Sequence, residues 1–127
     1  MAIPYKVIER GEPGVQGGGT KKYYASAQTT GNLDIEELTE QIERISTVSG
    51  ADIRAVLYGI VDVVPKLLSN GNIVQIGDLG SFRISISSEA SEAAADVTAA
   101  KVKKAKILFR PGKKFSTMLK TLEYKRV

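Results

Sequence analysis

The stretch SNGNIVQIGDLGSFRI, residues 69–84, packs a helix stop, a short strand, a tight turn and the opening of a second strand into sixteen residues. Asn70-Gly71 ends whatever helix precedes it, because glycine reaches the left-handed conformation that closes a helix. Ile73–Ile76 reads as a strand. In the turn Gly77-Asp78-Leu79-Gly80, two glycines supply conformations that other residues resist. From Ser81 to Ser87 the pattern alternates strictly, with Phe82, Ile84 and Ile86 facing one way and Arg83, Ser85 and Ser87 the other.

Upstream, the period is helical. A helix from Leu33 places Ile35, Leu38, Ile42 and Ile45 on one face, and Glu36, Glu37, Glu40 and Glu43 mostly on the other. A second helix opens at the capping pattern Ser49-Gly50-Ala51-Asp52 and runs to about Leu68. Its apolar residues, among them Ile53, Val56, Leu57, Ile60, Val61, Val64 and Leu68, cover more than one stripe, so it must be buried on several sides. Pro65 lies inside it, and a kink or an early break near Val61 is expected. Before these helices, YKVIER and KYYASAQ are β-prone runs joined by the Gly/Pro-rich GEPGVQGGGT, which predicts a hairpin over residues 1–32. The glycines do not form a nucleotide loop: Thr20 precedes Lys21, and a β-prone run follows instead of a helix.

Downstream, the polar, Ala-rich arm of about residues 88–101 leads to a strand from Val102 to Phe109. With Lys103, Ala105, Ile107 and Phe109 in the core-side register, Lys104, Lys106 and Leu108 point outward. The two strands then make a long hairpin with one apolar and one cationic face. Pro111-Gly112 opens a short helix from Lys113 to about Thr121, and Leu122–Val127 reads as a terminal strand.

Composition narrows the function. The chain has no Cys and no His, which removes disulfides, thiolate metal sites, thiol nucleophiles and the commonest general base. No enzyme, cofactor, metal site or small-molecule substrate is expected. No apolar run approaches the roughly 18 residues of a membrane span, and the N-terminus lacks the apolar core of a signal peptide, so a cytoplasmic location without membrane contact is expected. The net charge of +4 is unevenly spread: residues 101–127 carry ten Lys/Arg against Glu123 alone, whereas residues 34–62 carry seven acids against Arg44 and Arg54. So one-sided a C-terminal fifth is the footprint of a surface that binds a polyanion, the alternative being a solvated face that keeps the protein soluble.

The order of helix, helix, strand, GDLGSF turn, strand, arm, strand, RPGKK and helix resembles the bacterial histone-like HU/IHF family. SNGNIVQIGDLGSFRI, the spacing from Phe82 to Phe109, and KILFRPGKKF carry the likeness, over about residues 33–122. The first thirty-odd residues look like the extension of a subgroup with a hairpin before the first helix. The resemblance implies an α+β fold with two N-terminal helices, a three-stranded antiparallel saddle with an arm, and a short C-terminal helix. It also implies an intertwined homodimer, or a heterodimer with a paralogue, with Ile60, Val64, Phe82 and Phe109 in a shared core. The domains expected are residues 1–32, the hairpin extension, and residues 33–127, the DNA-binding domain.

Such proteins are nucleoid-associated, bind double-stranded DNA, and bend it with apolar wedges inserted into the minor groove. In the family the wedges are prolines at the arm tips among Arg and Lys. The matching stretch here, SSEASEAAADVTAA, has no Pro, Lys or Arg, and carries Glu89, Glu92 and Asp96. Three carboxylates oppose entry into a groove whose potential is already negative. What remains is contact between phosphates and Arg83, Lys101, Lys104, Lys106, Arg110, Lys113 and Lys114, helped by free N–H groups where the helix opens after Pro111. Phosphate contacts do not read bases, so the expected function is non-specific or shape-dependent duplex binding with little intercalation. The alternative is a dimeric scaffold or protein-interaction module that has lost DNA binding.

Overall fold

The computed structural model describes residues 1–12 and 14–127; Pro13, within the expected hairpin loop, lies outside the described residues. The chain divides into two compact units, one of residues 1–34 with 119–127, the other of residues 35–118.

In the first unit, β1 (Ile3–Arg10) and β2 (Lys22–Ala27) form the expected antiparallel hairpin, with Tyr5 opposite Ala27 and Arg10 opposite Lys22. The terminal strand β6 (Tyr124–Arg126) lies parallel to the other side of β1, giving the order β2-β1-β6. Residues 119–127 therefore go with the N-terminal sheet, whereas the sequence reading grouped them with the second domain. The backbone accounts for the difference: Ile3 N donates to Glu123 O at 2.8 Å and Val127 N to Tyr5 O at 2.9 Å, so an otherwise open edge of β1 is satisfied by the chain's end.

The second unit begins with α1 (Ile35–Ile45) and α2 (Gly50–Ser69). Ser49 caps α2 as its spacing indicates, its Oγ accepting from Asp52 N at 3.3 Å. Exit from α2 uses Gly71 at φ 86°, and the backbone and side-chain nitrogens of Asn72 both donate to Leu67 O. The expected break near Val61 does not occur, and α2 runs unbroken through Pro65 to Ser69. A proline removes one backbone bond; in a helix of twenty residues the intact ladder on either side, and the burial of Leu68 beyond it, outweigh that loss. Between the helices, Arg54 Nε donates to both carboxylate oxygens of Glu36 at 3.0 and 2.9 Å, an exposed pair of small energetic worth.

The sheet of this unit has the order β3-β4-β5, all antiparallel, from Val74–Ile76, Gly80–Ser88 and Val102–Pro111. α3 follows at Lys113–Lys120. Gly77 and Gly80 adopt φ of 48° and 150°, and the Gly80 position is closed to a side chain by Arg110 O and the Phe109 ring. The turn thus requires glycine where the sequence has it.

Among the described residues, Ile53 and Leu68 are the only buried large apolar side chains. Val56 and Val61 on α2 are 63% and 55% exposed, and Ile86 and Ile107 on the hairpin 61% and 62%. Ile60 and Phe109, expected in a core, are 38% and 40% exposed in the single chain, while Val64 and Phe82 are half-buried.

Candidate nucleic-acid interface

The β4–β5 ladder decides which side chains share a face. Ser81 lies opposite Arg110, Arg83 opposite Leu108, Ser85 opposite Lys106, and Ser87 opposite Lys104. These pairs fall on one side of the pleat; Phe82–Phe109, Ile84–Ile107 and Ile86–Ala105 fall on the other. Arg83, Lys104, Lys106 and Arg110 therefore form a cationic face lined with serines, as the alternation predicts. Lys104 and Arg110 are six residue steps apart, so the row extends over about 20 Å. No ion pair among the described residues engages any of the four.

On the opposite side the rings of Phe82 and Phe109 stand 4.9 Å apart, and Phe109 meets Phe115 of α3 edge-on at 5.9 Å. Phe115 was not singled out from sequence. Its position, four residues beyond Pro111 on a short amphipathic helix, is the signal that could have found it.

One expected site residue, Lys101, and one residue expected on the core side, Lys103, are placed differently from the rest. Lys101 is half-buried in a 3₁₀ turn, Ala99–Lys101, at the base of the arm, where its carbonyl accepts from Glu89 N at 2.9 Å. The register slips between Ser87 and Ser88, which leaves Lys103 out of the paired register it was assigned on the core side. A bulge redirects the side chain it carries, and Lys103 Nζ approaches Glu89 at 3.8 Å.

Lys113 and Lys114 open α3, where they share a shallow depression with Asp78, Thr117 and Met118. Two of the backbone N–H groups expected to be free here are engaged. Gly112 N donates to Leu79 O at 2.9 Å and Lys114 N to Asp78 O at 3.2 Å, so the turn between β3 and β4 already occupies these donors. The turn and RPGKK are docked together, with the Lys113 and Lys114 side chains beside Asp78. The arm carries one further short turn, Ala94–Asp96, with Glu92 and Asp96 exposed.

Among the described residues, no group of His, Cys, Asp or Glu could hold a metal ion and no helix is long and apolar enough to cross a membrane.

The fold is similar to a solved structure from Bacteroides vulgatus described as a "Putative bacterial DNA binding protein", with a TM-score of 0.69 at 14% sequence identity. The alignment covers 99% of this chain and 48% of that one, so the present chain spans about half the length of that protein. A search of curated proteins finds no match. The family model described as "HU domain fused to wHTH, Ig, or Glycine-rich motif" matches residues 1–126, and the chain belongs to this HU-HIG family.

Proposed function

We propose that this protein binds duplex DNA through phosphates, with weak sequence preference, on the cationic face of the β4–β5 hairpin, and that it does so as a dimer rather than as an enzyme. The observation that carries the reading is the segregation of the hairpin: Arg83, Lys104, Lys106 and Arg110 on one side, Phe82, Ile84, Ile86, Ile107 and Phe109 on the other. Lys113 and Lys114 extend the cationic surface, and Lys101 lies at its arm end. A row of Lys and Arg among serines suits a regularly spaced polyanion, because neutralised phosphates release their counterions. The apolar side needs cover. Exposed Val56, Val61, Ile86 and Ile107 leave more apolar surface open than a lone domain of this size ordinarily tolerates, and a second copy offering the same surfaces completes a core symmetrically. In that dimer Ile60, Val64, Phe82 and Phe109 lie in shared packing. The nucleoid is the site at which such binding would act.

The arm favours surface binding over wedge insertion. Glu89, Glu92 and Asp96 give it negative charge, and it has no proline to intercalate. Titration of a plain duplex at two salt concentrations tests the reading: affinity should fall steeply with salt. Absence of binding at low salt would instead leave a dimeric scaffold, with the acidic arm or the N-terminal sheet meeting another protein.

A further inference from the structure

We propose that the N-terminal sheet carries a second nucleic-acid site, a cationic track with a central tyrosine, that binds single-stranded nucleic acid independently of the hairpin. The pairing register separates the two faces of this sheet. Lys6 lies opposite Ser26, Ile8 opposite Tyr24, and Arg10 opposite Lys22, while Lys125 of β6 pairs with Pro4. Paired residues share a face and alternate residues do not, so Lys125, Lys6, Arg10 and Lys22 line one side of the sheet with Tyr24 and Ile8 between them. Glu9, the one acid of β1, falls on the other side.

All four cations are exposed, and of the ion pairs among the described residues only Lys22–Glu12, at 3.8 Å, touches the track. Arg10 directly opposite Lys22 is a like-charge cross-strand pair, an arrangement that destabilises a sheet unless an anion lies over it. A strand repeats its face about every 6.8 Å, so Lys6 and Arg10 stand on the order of 13 Å apart with the Ile8–Tyr24 step midway. Tyr24 is 41% exposed, which leaves its ring open to solvent amid the cations.

Charge alone would suit any polyanion; the ring in the middle selects among them. Single strands present unstacked bases together with a phosphate backbone, and an aromatic flanked by Lys and Arg takes both. A duplex keeps its bases stacked on one another and would gain only from the charges.

The test uses the full chain and a fluorescently labelled twenty-residue oligothymidine, beside a twenty-base-pair duplex and anionic phospholipid vesicles. Tyr24→Val, which retains β propensity, should weaken oligothymidine binding about tenfold and leave the duplex unchanged, and Tyr24→Phe should restore it. Lys6→Gln/Arg10→Gln should reduce oligothymidine affinity and its salt slope by about one unit per lost contact. Far-UV circular dichroism confirms that each variant is folded, with Tyr24→Phe as the folded reference. Equal oligothymidine affinity in wild type, Tyr24→Val and Lys6→Gln/Arg10→Gln would overturn the proposal. So would losses confined to duplex or vesicles. Failure of the hairpin reading is separate, since it shows as duplex affinity unchanged in Lys104→Ala/Lys106→Ala.

Discussion

Gly112 lies so close to the carbonyl of Asp78 that a β-carbon placed on it would overlap that oxygen. The contact joins the turn between β3 and β4 to the segment that opens α3, and two backbone hydrogen bonds, Gly112 N to Leu79 O and Lys114 N to Asp78 O, hold them together. Asp78 is thereby placed next to the two shoulder lysines. Gly112→Ala must push the turn away from α3. Overpacking of this kind destabilises by about 1–3 kcal/mol, which for a chain of roughly this size lowers Tm by at least about 4 °C. A thermal melt unchanged from wild type would show that the turn yields freely.

The exposed apolar faces of α2 and the hairpin predict a dimer in solution. Sedimentation of the wild type should give twice the chain mass. Ile60→Asp should abolish folding or association, because an unpaired charge in a shared core costs several kcal/mol against a total stability of about 5–15 kcal/mol. A stable, folded monomer of the wild type would remove the basis for the shared core.

Lys104 and Lys106 share the cationic side of β5 with no carboxylate opposite either. Lys104→Ala/Lys106→Ala should weaken duplex binding about equally for all sequences and flatten the salt dependence by about one unit per lost phosphate contact. Fluorescence anisotropy at several salt concentrations provides both quantities. If affinity stays unchanged, the duplex meets a different surface.

The arm has neither cation nor wedge between Ser88 and Ala100, and at its base Glu89 engages Lys103 and the backbone of Lys101. Deleting residues 90–98 and closing the strands with a two-residue turn keeps Glu89 in place. This variant should retain duplex affinity or gain some, since two carboxylates, Glu92 and Asp96, leave the neighbourhood of the phosphates. A large loss of affinity or of DNA bending, measured by gel shift with bent and straight probes, would show that the arm engages DNA despite its charge.

Local rules made much of the molecule legible in its sequence. Alternation along Ser81–Ser87 and Val102–Phe109 sorted the hairpin into apolar and cationic faces, Ser49 and Asn70-Gly71 bounded α2, and Gly77 and Gly80 marked a turn that admits no side chain at Gly80. Each of these depends on sterics or periodicity within a few residues, which a sequence displays directly. Tertiary structure alone decided the rest. The terminal strand was readable but its partner was not: Tyr124–Arg126 became the parallel neighbour of β1 because two segments far apart in sequence were brought together. The register slip at Ser87/Ser88 set Lys103 apart from Lys104 and Lys106, and the docking of Gly112 against Asp78 engaged two donors, Gly112 N and Lys114 N, that a linear reading leaves free. Long-range pairing, bulge position and occupied donors depend on which distant backbone lies alongside, and that placement emerges only when the whole chain satisfies its hydrogen bonds at once.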